Sequence, residues 1–261
     1  MAQEERIDER TDERIDRAAK RLLAAYPPAA MIPVPTDLAL EGEREAYAVQ
    51  ARVSAALGTP SGWKLGGIVP GETPRYSRLL AEGSQASPGR FARDAFHRVF
   101  LEPELAVVMG EALPCRETPY RLDEVAARVE SLHAAIELVD SRFVEWPAVP
   151  ALWQLADGLS HGAFVLGEAA PAGDLRQMRD AAYRLELDGE AVLEGRGGHP
   201  GGDPARLLVA MINDHMAATG QGIAAGEVIT TGTFNGVVEM RAGQRARLAF
   251  AGLGEATLDL A

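Results

Sequence analysis

Cysteine is nearly missing: Cys115 is the single one in 261 residues. That excludes a disulfide framework and any zinc site built on paired cysteines, and it suits a reducing compartment. Long apolar runs are missing too, none approaching the ~18–20 residues that a membrane helix needs. The opening stretch, MAQEERIDERTDERIDRAAKRLL, is dense in charge and has no apolar segment of the secretory type, so a cytoplasmic protein is expected. Positive charge is in deficit, with 26 Lys and Arg against 38 Asp and Glu and a formal net charge of −12. Such an excess repels phosphate backbones and anionic lipid, so neither nucleic acid nor a membrane surface is an expected partner. There is no phosphate-binding P-loop and no strand leading into G-x-G-x-x-G. What remains is ordinary for a globular chain, 47% hydrophobic and 25% charged, which rules out wholesale disorder. The length suits one large domain, or a core domain with a smaller appendage.

Residues 4–25 read as a helix. Ile7, Thr11 and Ile15 stand four apart and lead into Ala18, Ala19, Leu22 and Leu23, with opposite charges interleaved on the other faces. ERID occurs at Glu5–Asp8 and again at Glu13–Asp16, a spacing that suits a solvated face rather than a structural repeat. Pro27 and Pro28 stop this helix, and others are expected over Glu41–Leu57, ending at Gly58, and over Leu122–Arg128. From Gly62 the texture changes to short apolar strands between Gly, Pro and Asp turns: GWKLGGIV, LEPELAVVMG, HAAIELVDSRF, GAFVLG, YRLELDGEAVLEG, GEVITTGTF and ARLAFAGLGEATLDL. Asp188-Gly189 signals a hairpin, and Asp203-Pro204 an N-cap and first turn for the helix that follows. The expected architecture is α+β, with a helical region over 1–61 and a β-rich catalytic domain over 62–261. No linker separates two independently folding domains.

The most informative segment is Leu101-Glu102-Pro103-Glu104-Leu105-Ala106-Val107-Val108-Met109. Residues two apart in a strand share a face, so Glu102 and Glu104 stand side by side at the mouth of an apolar strand. Two such carboxylates repel unless one takes up a proton or a cation lies between them. Glu137 sits in a second apolar run, HAAIELV, where burial demands a partner, a proton or a metal. Three carboxylates without a convergent His or Cys make a hard oxygen site, suited to Mg²⁺ or Mn²⁺. The competing reading leaves Glu102 and Glu104 as exposed strand-end charges and pairs Glu137 with Arg142.

Lys64, in Gly62-Trp63-Lys64-Leu65-Gly66-Gly67, is a lone cation among glycines that let a ligand approach the backbone. It could neutralise a carboxylate substrate or move a proton; by the competing reading it snorkels to solvent beside Trp63. In LADGLSHGAFVLG, Asp157 and Ser160 are candidates for a helix cap, and Ser160 for a donor to a ligand. His161 invites the role of general base, although a lone His is more often structural. Arg142, in Asp140-Ser141-Arg142, suits a bidentate pair with a carboxylate.

GWKLG, the E-x-E of LEPELAVVMG, IELVDSRF, LADGLSHGAFVLG, GGHP and AGEVITTGTFNG, in this order, resemble the fumarylacetoacetate hydrolase superfamily, in its 2-oxo-acid hydratase and decarboxylase branch. The resemblance runs from about Gly62 to the C-terminus and is weaker in the N-terminal helices. It implies a mixed β-barrel-like roll with flanking helices, commonly homo-oligomeric, in a family whose hydratases and decarboxylases can associate. It implies that Glu102, Glu104 and Glu137 bind a divalent cation, Mg²⁺ or Mn²⁺, and that Lys64 is the active-site lysine. Ser160 then lines the substrate site with Asp157 beside it, and Thr233 falls on a turn near the ligand. The implied activity is that of a metal-dependent lyase on small 2-oxo acids, foremost hydration of 2-oxopent-4-enoate-type substrates to 4-hydroxy-2-oxo acids in aromatic catabolism. Decarboxylation of 2-oxo-3-hexenedioate comes next, then C–C hydrolysis of the acylpyruvate type, then a non-catalytic ligand-binding role.

There are departures. Gly66-Gly67-Ile68-Val69 stands where the hydratases often continue Gly-Leu-Thr-Ser, Arg75 where a loop acid is often found, and Asp157-Gly158 where Asp-Asn is usual. Three glutamates exceed the charge of one divalent ion by one, which Lys64 would offset. A substrate with a second carboxylate needs a further cation, for which Arg75 and Arg142 are the candidates.

Overall fold

The protein is described here by a computed structural model over residues 9–261. The expected helix start at residue 4, Ile7 and the first ERID lie outside those residues. Helix α1 (Glu9–Leu23) buries Ile15, Ala18, Ala19 and Leu22, the stripe its spacing predicts. Helix α2 (Glu43–Leu57) ends as expected at Gly58, whose amide donates to the Ser54 carbonyl at 3.1 Å. The remaining helices are α3 (Leu122–Ala126), α4 (Ala151–Ala156) and α5 (Pro204–Thr219). Asp203 caps α5 through the Ala205 amide, and Pro204 opens its first turn. No helix among the described residues is long and apolar enough to cross a membrane.

The strands are β1 (Pro60–Gly66), β2 (Arg75–Leu80), β3 (Ser84–Ala86), β4 (Gly89–Phe91), β5 (Phe100–Met109), β6 (Val129–Val139), β7 (His161–Pro171), β8 (Ala182–Leu187), β9 (Glu190–Arg196), β10 (Val228–Thr230), β11 (Val238–Glu239), β12 (Arg245–Phe250) and β13 (Gly254–Leu260). An eight-stranded mixed sheet runs β2-β1-β10-β5-β6-β7-β3, with β11 on β5, and a five-stranded sheet runs β4-β13-β12-β8-β9. Strand β13 packs beneath β6 and β7, so the sheets form the expected roll. The β8–β9 hairpin turns at Asp188-Gly189, both at positive φ, as that dipeptide predicts.

Strand alternation divides the roll into two environments. Leu101, Leu105 and Val107 of β5 and Leu132, Ala134, Ile136 and Leu138 of β6 enter the main core with α5 and the second sheet. Each of the Leu, Val and Ile side chains among them contributes roughly 1.5–3 kcal/mol on burial. Glu102, Glu104 and Ala106 of β5, with Ala135 and Glu137 of β6, take the opposite face. The helices α1 and α2 share a second apolar layer with Phe143, Val149, and Trp153 and Leu155 of α4.

Some elements escape the periodicity. The six-residue α4 is too short to show a stripe, and the mixed pattern of RYSRLL hides β2. GEVITTGTF forms strand only over Val228–Thr230, because Gly232 turns the chain at φ +87°.

Candidate active site

Register brings the acids together. Strands β5 and β6 pair antiparallel with Glu102 opposite Glu137 and Glu104 opposite Ala135. One carboxylate oxygen from each of Glu102, Glu104 and Glu137 lies within 4.8 Å of the others. Glu104 and Glu137 are fully buried and Glu102 is half-buried, so the alternative of exposed strand-end charges is overturned. Both oxygens of Glu104 and Oε2 of Glu137 have no hydrogen-bond partner. Buried oxygens left in that state normally have a ligand.

Lys64 enters from β1, where it stands opposite Ser77 of β2. Its Nζ donates to Glu137 Oε1 at 2.5 Å and to the Leu159 carbonyl at 3.2 Å, with 2% of the residue exposed. Lys64 does not snorkel; the glycines around it let the sheet close over its stem. At Gly62 a Cβ would fall 2.1 Å from the Val228 carbonyl oxygen, so only glycine lets β1 lie this close to β10. His161 Nδ1 meets the same Glu137 oxygen at 2.9 Å.

The charge balance is uneven. Burial, then the neighbouring Glu137, pushes Glu102 up to about 7. Burial with Glu137 and Glu102 raises Glu104 well above the carboxylate range. Burial also opposes ionisation of Glu137, but Lys64 and His161 outweigh it and hold its pKa below the usual value. Burial works against the Lys64 ammonium, and the three glutamates outweigh it in turn. One ion pair is thus compensated, while two carboxylates lack a counter-charge. A divalent cation with a preference for oxygen supplies that charge, and a donor set of three carboxylates suits Mg²⁺, Mn²⁺ or Ca²⁺ better than zinc. The residues fit such an ion.

The turn beneath Lys64 is built separately. Gly158, Leu159 and Ser160 have φ of 62°, 58° and 61°, three consecutive left-handed residues. Two of them are not glycine, a strain of roughly 1–3 kcal/mol each that the surroundings must hold. Arg142 and Asp157 hold it: Nε donates to Asp157 Oδ1 at 2.5 Å, Nη2 to the Asp157 carbonyl and Nη1 to the His161 carbonyl, both at 2.8 Å. Asp157 also accepts from the Ser141 hydroxyl and the Arg142 amide. Arg142 therefore pairs with Asp157, not Glu137, and Asp157 anchors the turn at the C-terminal end of α4 rather than capping a helix N-terminus. Ser160 also caps no helix; its Oγ is buried without a partner.

Thr233 lies on the turn after β10, where its hydroxyl donates to the Gly236 carbonyl at 2.7 Å. Two further residues, which sequence reasoning did not single out, shape this edge of the site. Thr230, opposite Ala106 of β5, lies beside Glu104 with a buried, unpartnered hydroxyl. Its place two residues after Val228 on an alternating strand was the available signal. His199, within GGHP, holds the turn through the Thr231 carbonyl at 2.9 Å and the Gly201 amide at 3.1 Å. Arg75 is engaged elsewhere, by Glu43 at the start of α2.

A β-roll that gathers three carboxylates and a lysine on one sheet face offers a set of oxygen donors that fits a divalent cation. The chain belongs to the fumarylacetoacetate hydrolase family: the family model described as "Fumarylacetoacetate (FAA) hydrolase C-terminal" matches residues 77–260. The chain is 28% identical over 256 residues to a 2-keto-4-pentenoate hydratase of Paraburkholderia phymatum, covering 93% of this chain and 96% of the relative. It is 27% identical over 183 residues to a 4-oxalocrotonate decarboxylase of Pseudomonas sp. strain CF600, covering 70% and 68%. Among solved structures, the 4-oxalocrotonate decarboxylase of Pseudomonas putida G7, complexed with magnesium and adipate, shares the fold with a TM-score of 0.80 and 24% identity over 97% of this chain and 98% of that one.

Proposed function

We propose that this protein is a divalent-metal-dependent hydratase of small 2-oxo-enoic acids, forming 4-hydroxy-2-oxo acids from 2-oxopent-4-enoate-type substrates. The carrying observation is the convergence of Glu102, Glu104 and Glu137, with orphaned buried oxygens, beside the buried Lys64. Hydratases of this name are among the relatives that match the chain along nearly its full length. Glu102, Glu104 and Glu137 hold the cation, Mg²⁺ or Mn²⁺. When bound, it supplies Lewis acidity toward charge that develops on the C2 oxygen of a 2-oxo acid.

The remaining work falls to the chain. Lys64 Nζ offsets the one negative charge by which three glutamates exceed a divalent ion, and it is the group placed to carry a proton to or from substrate carbon. Glu137 Oε1 and the Leu159 carbonyl aim that ammonium. Ser160 Oγ and Thr230 Oγ1 offer free hydroxyls to substrate oxygens. The dienol first takes a proton at C5 as its enol proton is lost, which gives the conjugated 2-oxo-3-enoate, and conjugate addition then places the water oxygen on C4 and a proton on C3. Asp157 acts on substrate only by fixing the turn that bears Ser160, and Thr233 by shaping the turn after β10.

The two candidates for the cation that a second substrate carboxylate would need are both engaged, Arg142 by Asp157 and Arg75 by Glu43. That favours a monocarboxylate and hence hydration over decarboxylation of a dioate. The proposal includes a homo-oligomeric cytoplasmic enzyme of aromatic catabolism, as the resemblance implies.

The test is loss of dienoate absorbance with 2-hydroxypenta-2,4-dienoate, in Mg²⁺, Mn²⁺ or EDTA, on the wild type, Glu104→Ala and Lys64→Ala. Metal-dependent loss with a 4-hydroxy-2-oxo acid as product is expected, and both variants should fail. CO₂ release from 2-oxo-3-hexenedioate in its place moves the assignment to a decarboxylase. Turnover of neither, with or without metal, removes both.

A further inference from the structure

We infer that His161 is a positioning residue that sets the orientation of Glu137 through its Nδ1 proton, and so helps to form the metal site. The inference rests on the metal-site reading above. A carboxylate oxygen can only accept, so Nδ1 carries the proton in the 2.9 Å contact with Glu137 Oε1. Lys64 Nζ, from β1, donates to the same oxygen. Two donors from different strands thus occupy Oε1, and Oε2, buried and without a partner, is left for the ion. An ammonium has three rotatable protons and fixes no plane, whereas an imidazole on a held backbone does.

The backbone of His161 is held, and held in an unusual register. Strand β7 pairs Phe164 with Glu137 and Ala163 with Leu138, but His161 with Val139, so Gly162 is an extra residue in the ladder. By plain alternation His161 would share the face of Ala163 and Val165, both in the main core. The bulge turns it to the face of Glu137. Only glycine fits there: a Cβ at Gly162 would lie 2.8 Å from the Leu138 carbonyl oxygen and 3.0 Å from Asp140 Cβ. Arg142 Nη1 holds the His161 carbonyl from the other side. Away from Glu137, His161 lines a cavity of about 180 Å³ with Gln50, Ser54, Ser77 and Asp157, so the ring has room to leave if the backbone does not keep it.

Asparagine places an amide donor at the position of Nδ1, and glutamine places one at the position of Nε2. The experiment is calorimetric titration of the full chain with Mn²⁺, comparing the wild type with His161→Asn, His161→Gln and His161→Leu, each checked for its melting temperature in EDTA. His161→Asn should bind within about threefold of the wild type, while His161→Gln and His161→Leu should bind ~10–100-fold more weakly. If His161→Leu fails to fold, the Asn–Gln comparison decides alone. Equal affinity across the three variants, or His161→Asn as weak as His161→Gln, overturns the inference and leaves the metal site standing. A wild type that takes up no Mn²⁺ overturns the metal site itself, and the inference with it.

Discussion

Two buried charge clusters meet at the turn of residues 157–161, and they are finished differently. Arg142 and Asp157, with side chains 1% and 0% exposed, meet each other, Ser141 and nearby backbone, and both Asp157 oxygens are satisfied. Glu104 and Glu137 are as deep and Glu102 is half-buried beside them, yet three of the buried oxygens have no partner and Lys64 is the one ammonium near them. A satisfied pair is scaffold: it anchors the left-handed turn. An unsatisfied cluster carries a cost of several kcal/mol that folding alone does not recover, and such groups mark a ligand site.

The comparison breaks most visibly at the scaffold. Asp157→Ala leaves the Arg142 guanidinium buried and uncompensated and should cost about 3–5 kcal/mol of stability, read as a lower midpoint in urea unfolding. Activity should fall with it, because Ser160 and His161 follow Asp157 on the same turn. Loss of the Arg142 contact without loss of stability would show that the turn is held otherwise.

Glu104→Leu should do the reverse. It removes a buried acid with no partner, so the protein in EDTA should melt no lower than the wild type, and higher by a few degrees if the leucine packs. Stabilisation by added Mg²⁺ or Mn²⁺ should disappear, and turnover should drop ~10²–10³-fold. A variant that keeps its metal response would remove Glu104 from the site.

A third buried group sharpens the distinction. His215 of α5 packs its ring 4.4 Å from that of Trp63, and neither ring nitrogen has a partner. Burial, then Arg78, depresses its pKa to about 4, while Glu227 and Asp214 oppose the shift. The folded state therefore resists protonation. The stability contribution of the neutral ring is full above the unfolded pKa of about 6.5 and is lost as pH falls toward 4. Between pH 7 and 4 the wild type should lose about 2 kcal/mol that His215→Phe does not, measured as the difference between their urea midpoints. The raised pKa values of Glu102 and Glu104 act in the opposite direction, and the difference between the two proteins cancels them. Coincident pH profiles would show that the ring is solvated.

The smallest effect is expected outside both clusters. Arg75 pairs with Glu43 at a partly exposed position, so Arg75→Ala should change stability by less than about 1 kcal/mol. If Arg75 does not receive substrate, KM for a monocarboxylate should also stay within about twofold. A large rise in KM would bring Arg75 into the site.

Much of the site was legible one strand at a time. The two-residue step from Glu102 to Glu104 and the isolation of Glu137 in HAAIELV imply carboxylates on one face, and pairing of β5 with β6 brings those faces together. Lys64 stood out as the lone cation among the apolar residues and glycines of Gly62–Gly67. The partner of Arg142 was not legible: Glu137 and Asp157 are both acids within reach in sequence, and the choice is made by the left-handed turn that carries Asp157 back over Ser141. His161 was not legible either, because its face depends on one extra residue in a ladder, and α4 was too short to show its period.

By itself the sequence determined the periodic elements, the acidic face of β5 and β6, and the chemistry available to it, since side-chain type and a two-residue repeat are local properties. Only the tertiary structure decided which charges meet. Lys64 and His161 reach Glu137 from separate strands, and Arg142 closes on Asp157 across a turn. Those choices rest on register and on a single bulge, and a one-residue shift in either reverses the face on which a side chain stands.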